Sequence, residues 1–168
     1  MKGPLPIQQV LTGGFDIVTE AQIKAGQIND LDLRAFRALL ELEQAVQKRF
    51  LVTFLRALEL DDVILLICDG SIGQLIGTKG ANIQSLENAL KKRVRIVAFS
   101  ADPKKLLSDM LGPRVKISSK TTVFAPEGER TRLVVNKKSA GNRLPRHGEK
   151  LSHWVSELTK SQVEVSFE

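Results

Sequence analysis

One order of elements occurs twice in this chain, and that repeat limits the fold more than any other feature of the sequence. Helix, strand, strand, short helix, basic glycine step, helix and strand follow one another as far as Ser100. The same order then runs again to Glu168. Gly80 and Gly148 hold equivalent places, which gives a period of about 68 residues. A tandem duplication of this kind fixes two modules, and 168 residues are enough for two small domains.

In the first copy, Leu31–Phe50 reads as an amphipathic helix. Leu33, Phe36, Leu40 and Val46 fall at helical spacing, and Asp30 or Asp32 serves as N-cap. Leu51–Leu60 and Val63–Asp69 read as strands joined at Asp61-Asp62, which implies an antiparallel hairpin. Ser71–Gly77 is a short helical piece, Ala81–Lys92 a helix and Val94–Ser100 a strand. In the second copy Pro103–Leu111 is a helix, opened by Asp102 and Pro103 and stopped by Gly112-Pro113. Val115–Ala125 and Arg130–Lys137 are strands on either side of the turn Pro126–Glu129. Lys138–Leu144 is a short helix or turn, Pro145–Gly148 a loop, Glu149–Lys160 a helix and Val163–Glu168 a closing strand. The fold class is α+β. The expected boundaries are an extension over 1–29, a first module over 30–101 and a second over 102–168. The extension stands outside the repeat and fits either a hairpin around Gly13-Gly14 or a mobile tail.

Composition narrows the function classes. Hydrophobic residues make up 42% and aromatics only 5%, so the core must be mainly aliphatic. The single cysteine, Cys68, excludes an internal disulfide and a cysteine-based zinc site, and its place within VILLICD reads as that of a small buried hydrophobe. Two histidines and one cysteine give no metal set, and no Ser/His/Asp or Cys/His arrangement has supporting local sequence. The expectation is a non-enzymatic protein with no cofactor, no metal and no small-molecule substrate. No apolar run approaches the roughly 20 residues of a membrane span, and the N-terminus lacks the h-region of a signal peptide, so a cytoplasmic location is expected. The net charge of +6 is uneven. Met1–Asp69 carries seven Lys/Arg against ten Asp/Glu, and Gly70–Glu168 carries eighteen against nine, which makes −3 and +9. A basic half points to an anionic partner, most often a nucleic acid.

The first module concentrates the relevant residues in LIGTKGANI, Leu75–Ile83. Gly77 and Gly80 bracket Thr78 and Lys79 between two apolar helical segments. Glycine supplies unusual backbone angles and close backbone approach. The amides at the start of the following helix carry positive dipole character, and Lys79 adds a full charge. Together these form a clamp for a phosphodiester backbone, with Ile72, Ile76 and Ile83 as an apolar floor for splayed bases. The spacing fails the nucleotide-binding phosphate loop, which needs Gly-Lys-Ser/Thr after its spacer. The flanking strands argue against an all-helical helix-turn-helix.

The run Ile72-Gly73-Gln74-Leu75-Ile76-Gly77-Thr78-Lys79-Gly80-Ala81-Asn82-Ile83-Gln84-Ser85-Leu86, set between strands, resembles the KH RNA-binding domain. The preceding helix and strand correspond to the extension of its type II form. Two such modules joined by SADPKKLLSDMLGPRVKI resemble the KH pair of the NusA-like transcription factors, in particular the short archaeal ones, over about Leu31–Glu168. The resemblance implies two tandem type II KH domains, each α-β-β-α-α-β, with three-stranded mixed sheets and helices on one face. It further implies that Gly77, Thr78, Lys79 and Gly80 clamp single-stranded RNA, that Ile72, Ile76 and Ile83 line the groove or the core, and that Arg95 edges the groove. In the second module Pro145 stands where the first glycine is expected, and proline has no N–H to offer a phosphate. Arg146, His147 and Gly148 keep that degenerate loop basic, as a secondary RNA contact. The function implied is RNA binding in transcription elongation or termination, with RNA polymerase as a protein partner. A ribosome-associated RNA-binding protein and a KH scaffold for protein interaction are the alternatives.

Overall fold

The apolar run VILLICD becomes the middle strand of a three-stranded sheet. The molecule is described here by a computed structural model covering every residue, Met1–Glu168, and its chain divides into two units, Met1–Ala98 and Phe99–Glu168. Both units are α+β with a three-stranded mixed sheet. In the first, β2 (Val63–Gly70) pairs antiparallel with β1 (Val52–Leu60) and parallel with β3 (Arg93–Ala98). Ile64, Leu65, Leu66, Ile67 and Cys68 are all buried, so both faces of β2 are out of water. That is why its sequence is continuously apolar instead of alternating.

Helix α3 (Asp30–Ala45) packs on this sheet through Ala35, Phe36, Leu39, Leu40 and Leu42, and Phe36 stacks on Phe54 of β1 with ring centroids 5.6 Å apart. Its first turn is fastened by a capping box. The Asp32 N–H donates to Asn29 Oδ1 at 2.8 Å, and the Asn29 N–H donates to Asp32 Oδ2 at 3.1 Å. Asp32 is only 1% exposed, and it also accepts from the Ala57 N–H at 2.7 Å and lies 3.3 Å from Arg56 Nε. One carboxylate thus joins the start of α3 to the outer edge of β1. The helix ends at Ala45, short of the expected Phe50, because Gln47 turns left-handed (φ 52°). Phe50 is then drawn into the core, and its N–H donates to Glu43 at 2.7 Å.

The first 29 residues form neither a hairpin nor a tail. They fold as two short helices, α1 (Ile7–Thr12) and α2 (Ile17–Lys24). Gly13 at φ 76° ends the first, and Asp16 caps the second through the Thr19 N–H at 2.8 Å. Asp16 was not recognised as a cap in the sequence. Leu5, Val10 and Ile28 join the core, Arg37 Nε donates to the Val10 carbonyl, and Lys2 pairs in parallel with Thr53 beyond β1. Gly3 crosses the ring of Phe36, where a Cβ would lie 2.2 Å from Cζ.

The second unit repeats the order: α6 (Pro103–Leu111), β4 (Ile117–Ala125), β5 (Gly128–Val135), α7 (Lys137–Ala140), α8 (Gly148–Thr159) and β6 (Gln162–Phe167). Its sheet again has the middle strand antiparallel to the first and parallel to the last. A register shift falls at the same point of both hairpins, Phe54/Arg56 and Ile117/Ser119. Leu106, Leu107, Met110, Leu133, Val135, Leu151 and Val155 are buried, while Arg130 and Arg132 lie on the exposed face of β5. Asp102 caps α6 and receives Lys120 Nζ at 3.1 Å, and that hydrogen bond holds its carboxyl below the usual carboxylate range. No helix is long and apolar enough to cross a membrane.

Candidate nucleic-acid interface

Between α4 (Gly73–Ile76) and α5 (Ala81–Leu90), three of four residues hold positive φ: Gly77 at 75°, Lys79 at 54° and Gly80 at 73°. The two glycines are needed for different reasons. A Cβ on Gly77 would sit 2.7 Å from Cγ of Asn82, whose side chain is fixed by donating to the Gln74 carbonyl at 3.0 Å. Gly80 has open space around it, and only its left-handed backbone angle favours glycine there. Lys79 takes the left-handed conformation without being glycine, as Gln47, Asp61, Lys91 and Lys160 do elsewhere in the chain. Thr78 and Lys79 are exposed, and α5 begins with no side-chain cap; the Ala81 N–H donates to the Thr78 carbonyl, and no side chain accepts from the amides that follow it.

Beside this loop runs a shallow groove. Ile76 of α4 and Ile83 of α5 face Val94, Arg95 and Ile96 of β3, with Glu87 along its side. The structure therefore brings Ile76, Ile83 and Arg95 together next to Gly77–Gly80. Ile72 is not among them. It precedes the first turn of α4 and packs against the core. Two members were missed in the sequence. Asn82 ties the loop to α4, and Glu87 Oε1 accepts the Val94 N–H at 3.1 Å, closing one end of the edge strand. Asn82 lies within the motif without a role assigned to it there, and Glu87 lies just beyond its end.

The second loop differs from its sequence alignment. The backbone of Gly77 (φ 75°, ψ 173°) is matched by Gly141 (φ 70°, ψ −178°), each directly after a four-residue helix, and not by Pro145. Pro145 lies instead in a 3-10 turn, Leu144–His147, that leads into α8. The span from Cys68 to Ala81 equals that from Val135 to Gly148, but α7 starts three residues earlier within it than α4 does. The connection after Gly141 is longer by the same amount. Gly148 is an ordinary helical residue (φ −53°), unlike Gly80. Arg146 is exposed, and His147 is half-buried at the start of α8.

Elsewhere, burial pushes the Cys68 thiol up to about 12, which removes it as a nucleophile. His153 is exposed beside Glu157 on α8, and no three His, Cys, Asp or Glu side chains stand together to hold a metal ion.

No family model matches the chain, and no curated protein matches it. Among solved structures, the crystal structure of APE1850 is similar, with a TM-score of 0.54 at 18% identity over 79% of this chain and 96% of that one. At that identity the likeness is one of fold.

Proposed function

We propose that this protein binds single-stranded RNA through the Gly77–Gly80 loop and the groove beside it, as a tandem type II KH protein of the NusA-like kind acting in transcription elongation or termination. One observation carries the reading. An exposed Thr78-Lys79 tip and the uncapped start of α5 adjoin an apolar groove edged by Arg95. A phosphodiester backbone needs positive charge and N–H donors, and unstacked bases need an apolar floor. The loop supplies the first, and Ile76, Ile83 and Ile96 supply the second. The charge of +9 over Gly70–Glu168 supports an anionic partner. The repeated sheet order and shared register shift support two copies of one module.

A fluorescent eight-nucleotide RNA titrated at increasing salt tests this. Contact with two or three phosphates gives a log–log slope of about −1.4 to −2.1 for a single strand. A flat slope, or tighter binding of the duplex of the same sequence, would contradict it.

A further inference from the structure

The two units treat the outer edge of their last strand differently. In the parallel pairs β2–β3 and β5–β6, Val63 aligns with Arg93 and Arg130 with Gln162, so Val94 corresponds to Val163 and Ile96 to Val165. Backbone groups alternate along a strand, and these two positions of each strand point away from the sheet. In the first unit the Val94 N–H is taken by Glu87, seven residues upstream. The Ile96 N–H faces the groove with no side-chain cap, and the residue thirteen positions upstream is Ile83, which has no polar group to offer.

In the second unit both positions are filled. The Val163 N–H donates to Ser156 Oγ at 2.9 Å, and the Val165 N–H donates to Ser152 Oγ at 2.8 Å. The separations are again seven and thirteen, so Ser156 stands for Glu87 and Ser152 for Ile83. Ser156 Oγ also donates to the Val163 carbonyl at 3.1 Å, and Ser152 Oγ to the Gly148 carbonyl at 2.7 Å. Gly148, Ser152 and Ser156 lie four apart on one face of α8, and a Cβ on Gly148 would come within 3.5 Å of the Val165 carbonyl oxygen. The helix is therefore pinned along the strand edge. Glu164 also stands where the first unit has Arg95.

We propose that Ser152 and Ser156, which line the corresponding groove of the second unit, withhold its strand-edge amides from bases, so that one strand is read per chain, by the first unit alone, and that Ile83 versus Ser152 is the deciding position. This rests on the RNA reading above. A base edge that is to hydrogen-bond to the strand backbone needs an unpaired group there, and the Val163 and Val165 amides are already paired.

Amide exchange and an NMR titration of the full chain with an eight-nucleotide RNA test it. The Val163 and Val165 amides should exchange slowly in the free protein, and Ser152→Ile should speed exchange at Val165 about tenfold or more. On titration the Ile96 amide should shift and saturate at one equivalent, with Val163 and Val165 unmoved. Ile83→Ser should protect the Ile96 amide and weaken binding about tenfold, by supplying the internal acceptor that Ser152 supplies in the other unit. Fast exchange at Val163 and Val165 in the free protein, or movement of Val165 in step with Ile96, overturns the proposal and leaves the RNA reading standing. No binding and no shift anywhere overturns the RNA reading itself, and the proposal with it.

Discussion

Replacing Thr78 and Lys79 together by aspartate is expected to weaken binding of a short single-stranded RNA about 100-fold and to leave the melting temperature unchanged, as read by fluorescence anisotropy and a thermal melt. Thr78→Asp removes one unit of charge and Lys79→Asp two, so the tip of the loop becomes more negative by three. A charge-assisted contact to phosphate is worth about 1.5–3 kcal/mol, and its loss is compounded here by repulsion between like charges. The fold should tolerate the change. Both side chains are exposed and make no hydrogen bond or ion pair within the protein. Position 79 holds φ 54°, a conformation that aspartate enters more readily than most residues. An unaltered affinity with intact folding would remove this loop from the interface.

The second large effect falls on stability. Asp32→Ala is expected to destabilise the first unit by about 3–5 kcal/mol, the cost of removing one partner from a buried charged network. Three groups converge on this carboxylate: the N–H of Asn29, which completes the capping box of α3, the N–H of Ala57 and Arg56 Nε. With alanine, the buried Ala57 amide loses its acceptor and the half-buried Arg56 guanidinium loses a charged neighbour. In a unit of this size such a loss lowers the melting temperature by roughly 10–30 °C. Asp32→Asn keeps one acceptor oxygen and should recover part of the loss. A denaturant titration of both variants checks the order wild type, Asn, Ala, and equal stability of all three would show that the carboxylate does not hold α3 to β1.

The residues that spoke through periodicity were readable in advance. Pro103–Leu111 shows its cap, its proline and its stop in the sequence, and the helix has those same ends. Ile76, Ile83 and Arg95, which the resemblance placed at the groove, do line one groove in the structure. What stayed hidden depends on distance through space. Gln47 ends α3 by a backbone angle that its side chain does not announce. Gly141 takes the conformation of Gly77, but an earlier helix start and a longer connection cancel within one span, so aligning loop ends put Pro145 in its place. Glu87, Ser152 and Ser156 look like ordinary polar helix residues. Their role follows from how closely each helix lies to its strand edge, which no local pattern encodes.

Ultraviolet crosslinking of an eight-nucleotide RNA to the full-length protein, with mass spectrometry of the joined peptides, tests the central claim most directly. The account predicts crosslinked nucleotides on the segments 76–83 and 94–96, the loop with its groove wall and the open edge of β3. Crosslinks confined to Phe99–Glu168, with none on 76–83, would contradict it.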